Sequence, residues 1–397
     1  MKRLLVVDED PAATSHIQSL LPDLSGEWEI AGAMTPDQAL AALDRTPFDV
    51  VLANTHLGGA GGIQLLSAIK ERHPQTVRIA TSGAAHRSVI VRALEVAHQF
   101  LPKPLESASL KAALTRSGSF RERVTNESLR RLIADIRTIP SLPGTYQELV
   151  DALQSPQASV ETAAAIISKD MAMVAKILQV VNSAYFSLRR TITSPAHAIA
   201  LLGIDTIKSL VLSLQVFSQF PRSGSIPVSI DSLWRHGLAT GTAAKTIAKS
   251  EGVGALGVEG AFIAGLVHDI GVLVLAANFP DQYREVLRIC RERCIAVWAA
   301  EQDVFGASHS DVAGYLLGLW GLNDAVVEAV TYHHGPLPKT QQGFTVLTAV
   351  YAANGFDERE DLAVPAESRT LLDGAYFNAC GLADRIEVWR KQLNQAA

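Results

Sequence analysis

Short apolar runs rich in β-branched residues alternate with helix-spaced apolar positions over roughly the first 117 residues, and helix spacing dominates thereafter. Arg3-Leu4-Leu5-Val6-Val7 predicts a strand that ends in Asp8-Glu9, and Phe48-Asp49-Val50-Val51-Leu52-Ala53 predicts one that ends at Asn54. Val77-Arg78-Ile79-Ala80-Thr81 leads to Ser82, and Phe100-Leu101-Pro102 leads to Lys103-Pro104. Continuous apolar runs of this kind fit parallel strands covered on both faces, so the pattern predicts an α/β, doubly wound (βα)5 domain over residues 1–117. Open sheets of this class bind ligands at the carboxyl ends of their strands. The acid pair, Asn54, the hydroxyl and the lysine all fall there. A helix over 106–116 closes the domain.

Ser117-Gly118-Ser119 reads as a break, followed by an amphipathic linker helix over 118–138 with Val124, Leu129, Leu132, Ile133 and Ile136 on one face. That stripe either pairs with a second copy, as in a homodimer, or packs on its own domain. Ile139-Pro140-Ser141-Leu142-Pro143 ends the helix, because proline disfavours helical geometry at the residue before it. From 139 to 397 the pattern is all-α. Helices are expected over 160–167, 171–181, 196–202, 207–217, 233–250, 260–277, 283–293, 312–320 and 325–333, and no strand signature appears. The Pro221–Pro227 segment divides a first helical half, 139–227, from a second, 228–397.

A chain of 397 residues, 48% hydrophobic and 19% charged, has the composition of two or three ordinary globular domains. The net charge of −5 argues against bulk affinity for nucleic-acid phosphates. No uninterrupted apolar run is long enough to predict a membrane span, and Met1-Lys2-Arg3 enters a short strand rather than a leader, so a cytoplasmic location without a membrane partner is expected. Cys290, Cys294 and Cys380 form neither a disulfide framework nor a zinc signature; the first two, at i and i+4, read as buried thiols. Trp234, Trp298, Trp320 and Trp389 read as core residues, and Arg189-Arg190 as surface.

The order Asp8-Glu9, Asn54, Ser82, Phe100, Lys103 resembles the receiver domain of bacterial two-component response regulators. In that family the acid pair holds Mg²⁺, a central aspartate accepts a phosphoryl group, the hydroxyl and lysine contact the phosphate, and the aromatic residue is a switch position. Asn54 stands where the aspartate belongs. A carboxylate oxygen attacks phosphorus to give an acyl phosphate, and an amide does not do so usefully. The resemblance therefore implies a receiver that cannot be phosphorylated, followed by a glycine-rich Gly58-Gly59-Ala60-Gly61-Gly62 loop looser than the family's usual one.

In the second half, His236, His268-Asp269-Ile270-Gly271, His309 and His333-His334 resemble the HD superfamily of metal-dependent phosphohydrolases. Neutral imidazoles and carboxylates suit Zn²⁺, Mn²⁺, iron or Mg²⁺. The Ile139-Pro140-Ser141-Leu142-Pro143, Ile167-Ser168-Lys169-Asp170, Leu178-to-Ala184 and Ala198-to-Gly203 motifs narrow the resemblance to HDOD domains, HD-related output domains generally regarded as lacking hydrolase activity. Within these motifs Asn182-Ser183 reads as the polar end of a helix and Gly203 as its C-cap. The late metal-binding aspartate of active enzymes is replaced by Asn354, and Val272 stands where the HD-GYP branch carries lysine. The resemblance thus implies a degenerate site, His268 and Asp269 with His236 and Asn354, with His309, His333 and His334 at second-site positions.

The expectation is a bacterial signal-transduction regulator that acts through contacts with signalling proteins or a small-molecule or nucleotide ligand. A buried His-Asp pair can hold the fold together by hydrogen bonds with no metal present, so no cofactor is required; the alternative is a divalent metal (Mn, Fe, Zn or Mg) in the HD-like site, with or without turnover. The alternatives are a metal-dependent phosphohydrolase or phosphodiesterase acting on a nucleotide or cyclic dinucleotide, and a nucleic-acid-binding adaptor, which the charge disfavours.

Overall fold

The apolar runs become the strands of one parallel sheet: β1 (Lys2–Val7), β2 (Trp28–Ala33), β3 (Val50–Asn54), β4 (Val77–Ser82) and β5 (Gln99–Pro102), in the order β2-β1-β3-β4-β5. Leu4 to Val7, Val50 to Ala53 and all of β4 are buried beneath the flanking helices α1 (Ala13–Leu20), α2 (Pro36–Arg45), α3 (Gly61–Arg72) and α4 (Ser107–Arg123). The register aligns Val7 with Ala53 and Asn54 with Thr81, which brings the ends of β1, β3 and β4 level. This computed structural model describes all residues except 25, 59–60, 84–92, 94–95, 124–128, 130–131, 134–135, 137–139, 142–147, 150–151, 154–158, 183–190, 204–217, 220–225, 337–342, 357–371 and 397.

One expectation about the linker changes, and one of two open readings is favoured. Helix α4 runs through Ser117-Gly118-Ser119 to Arg123, so the expected break at 118 falls inside a helix. Glycine in a helix costs only about 1 kcal/mol, which the rest of the helix can offset. Leu129 and Leu132 are buried in the chain's own hydrophobic core, with Ile133 and Ile136 packed against it. The described part of the stripe packs within its own chain, the second of the two readings offered above. Val124 lies outside the described residues.

The remainder consists of α5 (Val160–Ile167), α6 (Met171–Val181), α7 (Pro195–Leu202), α8 (Ile230–Ser250), α9 (Ala255–Val267), α10 (Ile270–Asn278), α11 (Pro280–Arg293), α12 (Val297–Phe305), α13 (His309–Leu319), α14 (Asp324–Tyr332), α15 (Val346–Gly355), α16 (Gly374–Ala379) and α17 (Arg385–Ala396). One pair of very short strands was not expected: β6 (Pro140–Ser141) pairs in parallel with β7 (Ser218–Gln219). Two residues are too few for alternation to register in the sequence. The helix expected over 207–217, Arg189-Arg190 and most of the Pro221–Pro227 divider lie outside the described residues.

Several local readings resolve into specific contacts. Asn182 follows α6 and clamps the next described segment, donating to Ile192 O at 2.8 Å and accepting from Ile192 N at 2.7 Å. Asp170 accepts from Ala172 N and Met173 N and so starts α6. Gly203 closes α7 at φ 80°. Cys290 is buried and its thiol is pushed up to about 11 by that burial, whereas Cys294 is exposed and closes α11. Trp389 is fully buried and donates to Glu251, and Trp320 is buried, but Trp298 is 38% exposed.

Helices α9 and α10 together form one apolar stretch, Ala255–Asn278, long enough by length and composition to cross a membrane. His268-Asp269 inside it conceals this length from a search for uninterrupted runs. Most of that stretch is buried within the protein, and it forms the centre of the helical domain.

Candidate metal centre

His268 and Asp269 were expected within a continuous helix over 260–277. They occupy instead the junction between α9 and α10, where Asp269 adopts φ −97° and ψ 12°. Gly271 allows α10 to start hard against α13, since a Cβ at that position would lie 2.0 Å from His309 O. The start of α13 is fixed in turn by a reciprocal cap between Ser308 and Asp311, which makes His309 its first residue. His236 lies in the second turn of α8, and His333-His334 follows directly on α14.

These five helices bring five imidazoles to one carboxylate. Asp269 Oδ2 lies 3.3 Å from His268 Nε2 and 3.6 Å from His236 Nε2. Its Oδ1 lies 3.2 Å from His309 Nε2 and 3.4 Å from His333 Nε2. His236 and His268 approach at 3.1 Å through their Nε2 atoms, and His309 and His334 at 2.8 Å. Two donor groups thus share Asp269: His236 and His268 on one side, and His309, His333 and His334 on the other.

The outer nitrogens decide how the inner ones can act. His268 Nδ1 donates to Gly265 O at 2.7 Å, His333 Nδ1 to Val330 O at 2.7 Å, and His309 Nδ1 to Glu301 at 2.6 Å. A proton held on Nδ1 leaves the Nε2 lone pair turned inward, which is how metal-ligating histidines are oriented. His333 Nε2 is buried without a hydrogen-bond partner, its approach to Asp269 having the distance of an ion pair but not the angle of a hydrogen bond. Donors held about 2.1 Å from one ion lie roughly 3 Å apart, the spacing found here. The donor set fits a divalent metal.

The electrostatics divide the imidazoles: His333 and His334 are held neutral, as ligation requires, whereas His309 holds a second proton that an ion would have to displace. Burial opposes charge on Asp269, but His268, His309 and His333 hold its carboxyl well below the usual carboxylate range. Burial also opposes charge on His309, yet the adjoining Glu301 carboxylate and Asp269 push it up to about 10. His333 is pushed down to about 4 by burial, and His334 falls well below its ordinary value through burial and the neighbouring imidazoles.

The other strand-end constellation is closed on itself. Lys103 Nζ pairs with Asp8, Asn54 Nδ2 donates to Asp8 Oδ1 at 3.4 Å, and Glu9 accepts from Gly58 N. Asn54 Oδ1 accepts from His56 N at 3.2 Å, while Ser82 Oγ and Thr55 Oγ1 lie 3.1 and 3.0 Å from His56 Nδ1. Phe100 is fully buried.

Residues 4–115 match the response regulator receiver domain family, and residues 139–336 match the HDOD domain family. The chain is a receiver–HDOD protein. It is 28% identical over 225 residues to an uncharacterized protein of Treponema pallidum, a match covering 55% of this chain and 42% of that protein. Over 113 residues it is 29% identical to the response regulator protein PilR of Pseudomonas aeruginosa, covering 28% of this chain and 24% of PilR. The chain thus spans less than half the length of these curated relatives. Among solved structures, the MmoQ response regulator of Methylococcus capsulatus aligns with a TM-score of 0.50 at 25% identity, over 64% of this chain and 98% of that one. A receiver joined to an HDOD domain fits a signalling regulator.

Within the HDOD domain, the residues named from the sequence separate. His236, His268, Asp269, His309, His333 and His334 come together; Asn354, in the last turn of α15, is partly exposed and makes no side-chain hydrogen bond to them among the described residues. Val272 is buried in the apolar core. Glu301 was not anticipated. Fully buried, it accepts from His309 Nδ1, from His309 N at 2.7 Å and from Tyr283 OH at 2.8 Å. Trp298, one turn earlier, lies over His334 with ring centroids 6.3 Å apart. A signal for Glu301 was present: Val297, Glu301 and Phe305 fall at i, i+4 and i+8, which puts a carboxylate on the apolar side of its helix.

Proposed function

We propose that this protein is a soluble bacterial signalling regulator whose receiver works without phosphoryl transfer and whose HDOD domain is built around a divalent metal. The observation that carries the reading is the set of inward Nε2 atoms around Asp269, three of them on rings locked by acceptors at Nδ1. His236, His268, Asp269, His309, His333 and His334 would hold the ion. A bound ion supplies concentrated positive charge and Lewis acidity at the junction of α9 and α10. Glu301 keeps His309 in the ligating tautomer, and Gly265 O and Val330 O do the same for His268 and His333. An ion held by these residues would link α8, α9, α13 and α14, and the surface those helices form is what a signalling partner would read. In the receiver, Asn54 supplies no nucleophile, and Lys103 already neutralises Asp8.

Elemental analysis of the full chain, and titration of chelator-stripped protein with Zn²⁺ or Mn²⁺, test the reading. At least one ion per chain is expected, and failure to retain or rebind any ion sinks it. Glu301→Ala should weaken binding by about 10- to 100-fold while helical content is kept, because His309 loses the group that orients it. Wild-type affinity in that variant would remove Glu301 from the account.

A second reading, a phosphohydrolase acting on a nucleotide or cyclic dinucleotide, is favoured by the two donor groups sharing Asp269 and by the part-exposed Trp298 beside them. Three features weigh against turnover. Val272 offers no phosphate contact, Asn354 brings no charge, and Glu301 is occupied by three donors and is not placed to move a proton. Loss of one electrostatic contact commonly costs about two to three orders of magnitude in rate. Hydrolysis of cyclic dinucleotides and nucleoside phosphates should remain at background with Mn²⁺, Fe²⁺ or Mg²⁺. Turnover abolished by His268→Ala would promote the second reading.

A further inference from the structure

The metal centre is assembled from two halves. His236, His268 and Asp269 belong to α8, α9 and α10, while His309, His333 and His334 belong to α13 and α14. The second half is a locked pair, because a Cβ at Gly314 of α13 would lie 2.0 Å from Thr331 Oγ1 of α14. The receiver packs on α13 through α4, and two consecutive residues of it hydrogen-bond the supports of both halves. Gln99 Nε2, at the start of β5, donates to Leu319 O at the far end of α13, at 3.1 Å in a buried setting. His98 O accepts from Gln179 Nε2 of α6 at 3.4 Å, and α6 packs on α9, the helix that leads into His268. His98 is itself held on both sides by Arg78, which donates through its backbone N–H at 3.0 Å and lies 3.1 Å from His98 Nε2 through Nη2. Gln99 and Gln179 are both buried, so these amides exchange no hydrogen bonds with bulk water.

We propose that His98 and Gln99 form a clip from the receiver across the two halves, with Gln99 acting as a positioning residue that sets His309 against Asp269 through α13. The proposal rests on the metal reading above. A helix transmits a displacement at one end to the other with little loss, and His309 and Leu319 are the two ends of α13. Linkage then works in both directions: docking of the receiver favours the metal-bound geometry, and metal binding favours docking. Lys103 of the receiver pocket directly follows β5, so a ligand or partner at that pocket would reach α13 along a single strand. This gives a receiver without an acceptor aspartate a means of acting on its output domain.

Co²⁺ titration of the full chain, followed by visible absorption, tests the clip, because the spectrum reports donor geometry as well as affinity. Gln99→Ala and Gln179→Ala should each weaken Co²⁺ binding by about 5- to 50-fold and change the band shape, with far-ultraviolet circular dichroism unchanged. Gln99→Glu, which cannot donate to Leu319 O, should behave like Gln99→Ala. Wild-type affinity and spectrum in these variants would overturn the clip and leave the metal reading standing. If the wild-type protein binds no Co²⁺, the metal reading fails, and amide exchange over residues 309–334 decides the clip separately. Faster exchange in Gln99→Ala supports it; equal exchange overturns it.

Discussion

Replacing Asp269 with alanine should abolish the proposed divalent-metal binding, lowering affinity by about 100-fold or more, since even outer-shell partners are worth about 10- to 100-fold. Asp269 is the one carboxylate that both donor groups share, with one oxygen toward His236 and His268 and the other toward His309 and His333. Imidazoles are neutral when they ligate and cannot balance a doubly charged ion, so the carboxylate would supply most of the charge compensation. Asp269→Asn is the sharper variant, because it keeps the shape of the junction and removes only the charge. Competition with a chromogenic chelator should show both variants metal-free under conditions that load the wild type. Metal-loaded Asp269→Asn with wild-type affinity would show that the imidazoles alone make the site.

The sheet was legible because its strands are buried on both faces, which leaves continuous runs such as Leu4-Leu5-Val6-Val7 and Val50-Val51-Leu52-Ala53. The gathering of the imidazoles was legible only through the family resemblance carried by their order along the chain. Periodicity did not show it, because it depends on where α9 stops. Apolar spacing continues unbroken from Gly260 to Ala277, so no periodicity marks the turn at His268-Asp269; the interruption comes from the close approach of Gly271 to His309 O. The linker failed for the opposite reason. Ser117-Gly118-Ser119 carries weak helix formers, yet α4 continues to Arg123 and local propensity is overridden. Leu129 and Leu132 show an apolar stripe that fits either a second copy or this chain's own core, and no local pattern chooses between them. Trp298 misled: its type suggests the core, but it stands part-exposed beside His334.

Placing an aspartate at position 54 should switch on a reaction that the unaltered chain is expected not to carry out. Incubated with a small phosphodonor and Mg²⁺, the wild-type chain should keep its intact mass, because Asn54 offers an amide where a carboxylate oxygen would attack phosphorus. Asn54→Asp should gain one phosphoryl group, released by hydroxylamine as an acyl phosphate. The surrounding groups remain in place for it: Asp8 and Glu9 at the end of β1, Ser82 at the end of β4, and Lys103 beyond β5. The new carboxylate would also take the position from which Asn54 Nδ2 now donates to Asp8, putting like charges side by side until a cation enters. Phosphorylation of the variant should therefore depend steeply on Mg²⁺, and without the ion Asn54→Asp should unfold at a lower temperature than the wild type. A phosphoryl group mapping to residues 1–117 of the unaltered chain would overturn the reading of this receiver. A variant that stays unmodified while folded would place the deficiency elsewhere, with His56 against Ser82 the first contact to examine.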